Sequence, residues 1–368
     1  MSAQGAQAPS RAELLQALSL QAVACERLGS PLTARVLGAL GASLEGEGAL
    51  APLLADWRLP PVPSALALRL AGALHALVLD GAAPDLARFY PDATASPEAP
   101  DPGDDRTLRR VVEETLAAHG PVIADFLAQS VQTNEVQRSA VLLPGLLEIA
   151  RRVRAPLRLL ELGASGGLNL LLDRWHYRFG RRGWGPPDAP LRLAPAWSGP
   201  APPLEAPLAI RSRRGVDLHP LDFRDDAVVR RGLAYLWPDQ RERTQRFRIA
   251  VAAFRASAVR VEEADVAQWL PSALAERAGE GPTVVQHSIF WQYLPAETRR
   301  ATEAAIRDAG DRATEEAPVA WLRYEPEADG RHFELTLDLW PGPGERIRLA
   351  RAHPHGASVD WVGETGRD

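Results

Sequence analysis

The chain has 368 residues, of which 46% are hydrophobic and 24% charged, a composition typical of a folded protein with room for two domains. It contains no lysine, so all 42 basic residues are arginine, which excludes Schiff-base enzymes, lysine-containing phosphate loops and protein kinases. The single Cys25 excludes CxxC redox motifs, intramolecular disulfides and cysteine-built zinc sites.

The charge is distributed unevenly, although the formal net charge is only −5. Residues 1–150 carry 10 Arg and 17 acidic residues, whereas 174–260 carry 17 Arg and 8 acidic residues. A basic stretch attracts an anion or nucleic acid, or is simply a solvated surface. No RNA-binding signature accompanies it, so we expect no nucleic-acid partner. Without a long apolar run or a signal segment, we expect a cytoplasmic protein that does not engage a membrane.

Residues 1–133 predict an all-helical N-terminal module, because helix caps recur there and no alternating strand pattern is present. A capping box of Ser10 with Glu13 begins the first predicted helix, and Ser30 begins the second. A third predicted helix begins at Ser64 and ends at Gly81, and a fourth begins at Asp105 and ends at Gly120.

Residues 134–368 predict an α/β domain, since strand-like and helical segments alternate and imply a mainly parallel sheet. A long helix over 134–152 comes first, and a Pro/Gly-rich insertion, predicted to be irregular, covers 180–207. The last two strands are joined by 341–344 and form an antiparallel hairpin. The predicted strands lie in 156–162, 208–220, 258–266, 282–290, 317–326, 332–340 and 345–354, and the predicted helices in 226–257 and 295–309.

A glycine-rich turn, ELGASGGLN over 161–169, follows the first strand at the position where open α/β sheets bind ligands. The nicotinamide pattern GxGxxG fails, because Ser165 and Leu168 replace two of its glycines. The serine hydrolase pattern GxSxG fits, with Ser165 as nucleophile and a late His353 or His355 as base. That fold places several strands before its nucleophile, however, and this sequence predicts only helices there.

The turn also resembles the nucleotide loop of class I methyltransferases, E/D-x-G-x-G-x-G, at Glu161, Gly163 and Gly167, with Ser165 in place of the middle glycine. The resemblance implies a Rossmann-like, methyltransferase-type sheet and S-adenosylmethionine (SAM) as cofactor. It implies that Asp217, after the next strand, binds the ribose hydroxyls, and that Asp265 lies beside adenine. The segment VVQHSIFWQYLP then corresponds to the fourth strand, and the terminal hairpin to the sixth and seventh.

Over nearly its whole length the chain resembles a bacterial family of uncharacterised proteins, domain of unknown function 2332. The likeness includes QTNEVQRS at 132–139, the glycine turn with LLLDRW, GVDLHPLD at 215–222, Trp237 with its proline, and HPHG at 353–356. The family implies no reaction, so the function rests on the residues.

Asparagine occurs only at Asn134 and Asn169, and both lie in these motifs. A helix over 134–152 is about 28 Å long. If it packs antiparallel to the first strand, Gln132 and Asn134 lie near the glycine turn and reach the ligand. The alternative for Asn134 is a helix cap, and the alternative for Asn169 is to brace the turn.

Several polar residues are candidates for chemistry or binding. Glu161 either holds the turn by accepting amide hydrogen bonds or contacts a cationic amino group. His287 ends the strand PTVVQH and is the candidate general base, with a hydrogen-bonded structural role as the alternative. Trp291 and Tyr293 are candidates to line a pocket, and Asp222 to cap a helix.

His353 and His355 flank one proline; a metal site there would need at least one more ligand, for which His176 and His219 are candidates. The spacing matches no zinc motif, so we expect no metal. The arginines of 211–214 either clamp a carboxylate or phosphate of the substrate or end a strand in solvent.

The working hypothesis is methyl transfer from SAM to a small acceptor, an anionic one among the candidates. Glu161, Gly163, Ser165, Gly167, Asn169, Asp217, Asp265, Gln132 and Asn134 would hold the cofactor, and His287 would be the catalytic candidate. The alternatives are a non-catalytic or differently reactive descendant of that fold that binds a nucleotide or SAM, and a serine hydrolase that uses Ser165.

Overall fold

A computed structural model describes residues 8–46, 48–91, 104–276, 280–327, 332–342 and 345–363. Helices α1–α12 are Arg11–Arg27, Pro31–Glu45, Leu50–Leu53, Leu66–Leu79, Pro84–Ala87, Asp105–Ala118, Gly120–Ala128, Ser139–Val153, Asp226–Ala234, Arg241–Arg255, Val266–Ala275 and Ala296–Asp311. Strands β1–β12 are Leu157–Leu162, His176–Phe179, Arg182–Trp184, Arg192–Leu193, Ala196–Ser198, Ile210–Asp217, Val261–Glu263, Thr283–Ser288, Val319–Pro326, Phe333–Trp340, Ile347–Ala352 and Ser358–Trp361. Short 3₁₀ helices are Val136–Arg138, Leu168–Arg174 and Trp291–Tyr293.

The chain forms two compact units, here called the helical unit and the α/β unit. The helical unit consists of Met1–Thr133 and Asp225–Gln245, and the α/β unit of Asn134–Arg224 and Arg246–Asp368. The chain therefore returns to the helical unit once, through α9 and the start of α10. Sequence periodicity did not indicate this return, because an amphipathic helix has the same pattern in either unit.

The capping signals of the helical unit were predicted with mixed success. The box at the start of α1 is confirmed: the Glu13 N–H donates to Ser10 Oγ at 3.3 Å, and the Ser10 N–H donates to Glu13 Oε2 at 2.7 Å. The predicted start at Ser64 is wrong. Its hydroxyl donates to the Pro60 carbonyl at 2.6 Å, and α4 begins two residues later.

Two further starts in the helical unit use a different cap from the predicted one. Asp104, rather than Asp105, caps α6 by accepting from the Thr107 N–H at 2.6 Å. Ser30 precedes α2 without capping it, and its hydroxyl donates to Asp239. The cap of α2 comes from Asp239, which accepts from the Leu32 N–H at 2.9 Å. A cap supplied from a distant segment leaves no local sequence signal.

The α/β unit is built on a nine-stranded sheet with the order β5-β12-β11-β10-β9-β8-β1-β6-β7. Strands β7, β6, β1, β8 and β9 are parallel to one another, as predicted for a mainly parallel α/β sheet. The predicted hairpin of β10 with β11 is confirmed. The antiparallel part is larger than predicted, since β9 to β12 form a continuous meander.

The Pro/Gly-rich insertion 180–207 is more ordered than predicted. Strands β2, β3 and β4 form a small separate sheet, and β5 pairs with β12 at the edge of the large sheet. Aromatic side chains anchor the insertion: Trp197 packs on Phe179 with ring centroids 4.7 Å apart, and on Trp361 with centroids 5.9 Å apart. This apolar contact explains why a glycine-rich stretch holds a defined course.

Apolar side chains cover the sheet on the side that α11 and α12 pack against, where Leu160, Leu162, Val285 and Trp321 are buried with Leu270 and Ile306 of those helices.

Within the ranges given above, no helix combines the length and the apolar character that crossing a bilayer requires.

Candidate functional site

The candidate site lies at the carboxyl end of β1. The chain runs from β1 to β6 on one side of β1 and later returns to β8 on its other side, so the strand order reverses at β1. Ligands of open α/β sheets bind at such a reversal, beyond the carboxyl ends of the strands. The site therefore comprises the glycine turn after β1, the end of β6, and the loop after β8.

The glycine turn adopts left-handed backbone conformations at three of its residues. Gly163, Ser165 and Gly167 have φ of 63°, 53° and 75°. Glycine adopts such angles freely, whereas Ser165 is one of four non-glycine residues with positive φ in the described part of the chain. The chain bends sharply here, as the motif predicted.

Most amides of the turn already have protein acceptors. Ala164 donates to the Val216 carbonyl at 3.0 Å, and Gly167 donates to the Ala164 carbonyl at 2.8 Å. Among the residues that the structure describes, the amides of Gly163 and Gly166 donate no hydrogen bond. Those two amides remain for a ligand.

Asp217 lies beside the turn, at the end of β6. Its Oδ2 accepts from the Ser165 N–H at 2.9 Å, and its Oδ1 accepts from the His219 N–H at 3.0 Å. The side chain is half-buried. Through these two hydrogen bonds the carboxylate braces the turn. Its predicted contact with a ribose stays a prediction.

Asn134 contacts the turn, although the predicted helix over 134–152 starts later than expected. The helix α8 begins at Ser139, after a short 3₁₀ helix, so Asn134 does not cap it. Its Oδ1 accepts from the Leu168 N–H at 2.9 Å. The predicted proximity of Asn134 to the glycine turn is therefore confirmed, with bracing as the visible role. Gln132 belongs to the helical unit.

Asn169 braces the same turn from within. Its Oδ1 accepts from the Ser139 hydroxyl at 2.8 Å, and its Nδ2 donates to the Glu135 carbonyl at 3.4 Å. Both functional groups of the amide are used and the residue is buried. The bracing alternative for Asn169 is the one the geometry supports.

Glu161 and Gln286 form a buried polar pair on neighbouring strands. They are register partners in β1 and β8, and their side chains are 3% and 0% exposed. Glu161 Oε2 and both polar atoms of the Gln286 amide have no hydrogen-bond partner among the described residues. A buried polar atom without a partner is costly, by about 1–3 kcal/mol, and native structures contain few of them.

Burial raises the pKa of Glu161 to about 8, and the carboxylate of Asp217 adds to the rise. The Gln286 amide and the Arg138 guanidinium oppose it. The amide is near enough to act electrostatically, although no contact between it and the carboxyl has hydrogen-bond geometry. We therefore expect Glu161 to be mostly protonated at neutral pH until a cation or a donor reaches it.

Ser165 has a buried hydroxyl, 7% exposed as a residue, whose Oγ has no hydrogen-bond partner among the described residues. A serine nucleophile is activated by a hydrogen-bonded base, and no such pair is formed here. The described residues before β1 contain helices and no strand. Neither observation favours the hydrolase.

His287 is fully buried and both of its ring nitrogens are occupied. Nδ1 lies 2.6 Å from Glu325 Oε1, and Nε2 lies 3.0 Å from Trp321 Nε1, which has only a proton to donate. The proton of the neutral ring is therefore on Nδ1. Since neither nitrogen is open to a substrate in this arrangement, the structural alternative for His287 is supported and the predicted general base is not.

The loop after β8 is organised by Glu325. Its Oε1 also accepts from the amides of Phe290 at 3.0 Å and Trp291 at 3.2 Å. Ile289 has a φ of 50°, which strains a β-branched residue by about 1–3 kcal/mol. Such strain occurs at binding sites more often than elsewhere.

Trp291 and Tyr293, which the sequence offered as candidates to line a pocket, lie in different environments. Trp291 stacks on His287 with ring centroids 5.1 Å apart, whereas Tyr293 is 73% exposed. Tyr293 therefore lines no enclosed pocket.

The HPHG segment joins β11 to β12 and packs against the residues before α8. Arg138 Nε donates to the Pro354 carbonyl at 3.1 Å, and Gln137 Nε2 donates to the Gly356 carbonyl at 3.3 Å. The His355 N–H donates to His353 Nδ1 at 3.1 Å. Burial lowers the pKa of His353, and the nearby Glu135 opposes this. Two segments of the family motif thus meet at this edge of the sheet.

No group of three or more His, Cys, Asp or Glu residues is placed to hold a metal ion in the described ranges.

Asp265 and Asp222, two further polar residues singled out in the sequence, have structural contacts. Asp265 caps α11 by accepting from the Ala267 N–H at 2.8 Å, and its predicted place beside adenine stays a prediction. Asp222 does not cap α9; Asp225 does, through the Ala227 N–H at 2.8 Å.

Two arginines of 211–214, for which the sequence offered an anion clamp or a solvated strand end, pair with carboxylates of this chain. Arg213 makes a two-bond ion pair with Asp173, at 2.7 and 2.9 Å, and Arg214 makes one with Glu262, at 2.8 and 2.9 Å. Both guanidinium groups are thereby neutralised by this chain's own carboxylates.

Sequence reasoning missed Gln286, Phe290 and Glu325. The signal for Gln286 was available, because an uncharged polar residue inside the apolar run TVVQ is unusual for a strand buried on both faces. No comparable signal existed for Phe290 or Glu325, whose roles depend on how the loop after β8 folds.

A family model described as an uncharacterized protein conserved in bacteria, DUF2332, matches residues 15–361. The match covers well over half of the chain, so the chain belongs to this family. No curated protein matches the sequence.

Proposed function

We propose that this chain binds SAM at the carboxyl end of β1 and transfers its methyl group to a small acceptor. The observation that carries the proposal is the buried carboxyl of Glu161, whose Oε2 lacks a partner beside the glycine turn. SAM has an ammonium group on its amino-acid end. A cation at Glu161 would supply both the hydrogen bond and the opposite charge that the site lacks.

The neighbouring residues support a nucleoside at the same edge. Asp217 lies at the end of β6, where its carboxylate contacts the turn and would accept from the ribose hydroxyls of a nucleoside. The amides of Gly163 and Gly166 would donate to the carboxylate of the amino-acid end. Asp265, at the start of α11, is the candidate contact for adenine. The parallel order β7-β6-β1-β8-β9 provides the switch point that such a site needs.

Bound SAM would supply an electrophilic methyl group. The task of the protein is then to align the acceptor with that group, which contributes through proximity and orientation and needs no general base. This agrees with the engaged state of His287, which takes no part in the proposed reaction. The loop after β8 adjoins the turn and is the candidate place for the acceptor.

Isothermal titration calorimetry with SAM and with its demethylated product tests the proposal. We expect both to bind the wild-type chain. We expect Glu161→Gln to weaken binding by at least tenfold, and Asp217→Asn by about tenfold, because each removes a charge from a ligand contact. Asp222→Asn is the matched control: this carboxylate is exposed, five residues from Asp217, and contacts only Arg224 in the contacts described. A wild-type chain that binds neither compound contradicts the proposal.

One observation favours the alternative of a non-catalytic ligand-binding protein of the same fold. Ser165 stands, buried and with positive φ, where the methyltransferase motif has its middle glycine. Its side chain occupies space that the motif leaves open. Binding of SAM without methyl transfer to any acceptor in a panel of small carboxylates, amines and phenols supports this alternative.

A further inference from the structure

The ring of Phe290 lies directly on the glycine turn. A Cβ atom at Gly163 would be 2.1 Å from Phe290 Cδ2 and 2.6 Å from Cγ, so the ring contacts bare backbone that only glycine leaves accessible. The ring is half-buried and comes from the loop on the other side of the switch point. It therefore occupies the place where a ligand of this edge would meet the turn.

A second ring contacts the turn in a different way. A Cβ atom at Gly166 would be 2.0 Å from Phe223 Cε2. Phe223 is fully buried, and it packs edge-on against Phe247 and Phe254 with centroids 5.2 and 6.2 Å away. Phe223 is thus part of the core, whereas Phe290 is at its edge.

The loop that carries Phe290 is held by backbone hydrogen bonds and by ring packing, since Trp291 stacks on His287 with ring centroids 5.1 Å apart. The amides of Phe290 and Trp291 both donate to one oxygen, Glu325 Oε1, and Ile289 donates to the Tyr324 carbonyl at 2.8 Å with its backbone in the left-handed region. Moving the loop breaks these hydrogen bonds and part of the ring packing, and it relieves the unfavourable backbone conformation of Ile289. The relieved strain offsets part of that cost, so local opening costs less than unfolding of the sheet.

Unpartnered polar groups lie in the glycine turn and on the strand beside it. Glu161, Gln286 and Ser165 are each more than nine-tenths buried, and each has at least one polar atom without a partner in the described part of the chain. Groups of this kind point to a ligand that would supply the missing hydrogen-bond partners.

We infer that Phe290 is an internal plug of the ligand site, which leaves the glycine turn together with Ile289 and Trp291 when a ligand binds. The inference rests on the proposed function for the identity of the ligand, and on the contacts above for the plug itself. Binding then includes the work of displacing the ring, so the closed chain binds its ligand more weakly than an unplugged one.

Amide hydrogen exchange tests the plug without any ligand. We compare the peptide that spans 162–168 in the wild-type chain, in Phe290→Ala and in Phe290→Leu. We expect exchange of the turn to be at least tenfold faster in Phe290→Ala, with an intermediate rate in Phe290→Leu. Tyr293→Ala is the matched control, because Tyr293 is an exposed ring three residues further on, and it should leave the rate unchanged. Equal rates in Phe290→Ala and wild type overturn the plug.

Titration with SAM and its demethylated product then separates the plug from the proposed function. We expect Phe290→Ala to bind at least one of them about tenfold more tightly than the wild type does. Faster exchange with no binding by either chain supports the plug and contradicts SAM as the ligand. Faster exchange with equal or weaker binding by Phe290→Ala overturns the plug as a competitor of the ligand. Phe290→Leu keeps an apolar side chain, and it serves for the comparison if the alanine variant does not fold.

Discussion

Adjacent residues of one strand have opposite surroundings in the α/β unit. Gln286 and His287 follow each other in β8 and therefore point to opposite faces of the sheet. On the His287 face, the ring has two partners and links Trp321 to Glu325. On the Gln286 face, neither polar atom of the amide has a partner in the described ranges, and the neighbouring Glu161 Oε2 has none either.

Residue type alone therefore ranks candidate site residues poorly. Histidine is the usual acid or base near neutral pH, so the sequence favoured His287. In the structure that ring has a structural role, whereas the less reactive polar groups on the Gln286 face lack hydrogen-bond partners. Buried hydrogen-bonding capacity without a partner is the better indicator of where a ligand belongs.

The largest expected effect is on the His287 face. His287→Ala leaves the buried Trp321 N–H without an acceptor, removes one of three donors from Glu325 and opens a cavity. We expect the free energy of unfolding to fall by roughly 4 kcal/mol, measured by urea denaturation. The exposed Tyr293→Ala should change it by less than about 0.5 kcal/mol. A His287→Ala chain as stable as the wild type would show that the two faces do not differ as described.

A smaller effect is expected from pH through Glu161. Because its pKa is raised to about 8 in the folded chain, from 4.5, the folded state holds a proton that the unfolded state has released between these values. Stability from this group is complete below pH 4.5 and is lost as pH rises toward 8. Between pH 5 and 7.5 we expect the wild type to lose roughly 3 kcal/mol relative to Glu161→Gln. Parallel stability curves for the two chains would contradict the raised pKa.

Substitution of Asn134 tests whether this residue braces the glycine turn, and the expected loss of stability is of intermediate size. Asn134→Ala removes the acceptor of the buried Leu168 N–H, and we expect a loss of about 1–2 kcal/mol in unfolding free energy. Asn134→Asp keeps an acceptor oxygen and should recover part of that loss. Thermal unfolding of the three chains measures the difference, and no loss in the alanine variant would show that Asn134 does not brace the turn.

The smallest expected effect on stability is a gain rather than a loss. Gln286→Met replaces an amide without partners by an apolar side chain of similar volume, and we expect the chain to gain about 1 kcal/mol in stability. The same variant should bind ligand more weakly, since it removes hydrogen-bonding capacity from the site. A clear loss of stability in urea denaturation would mean that the Gln286 amide already has partners.

The features that follow from local sequence pattern were predicted. The run PLRLLEL predicted β1, the glycines predicted the bend, and the position of Asp217 after the next strand placed its carboxylate beside that bend. Asn134 was also placed near the turn, although its helix starts at Ser139.

The remaining features depend on contacts between distant segments. Phe290 meets Gly163 across the switch point, and Asp239 caps a helix that begins about two hundred residues earlier. Neither contact has a period or a motif, so composition and spacing do not predict it. Glu161 was a candidate because it begins the glycine-turn motif, but the absence of a partner for its Oε2 is a property of the packed structure.

Calorimetric titration of the chain with SAM at pH 7, in two buffers of different ionisation enthalpy, tests Glu161 as the cation-binding group of the site. A pKa of about 8 implies that Glu161 is about nine-tenths protonated at this pH, so binding of the ammonium group there releases close to one proton. We predict binding with that proton release in the wild type and no proton release in Glu161→Gln. Binding without proton release in the wild type, or no binding at all, would contradict the assignment of Glu161 as the cation-binding group of this site.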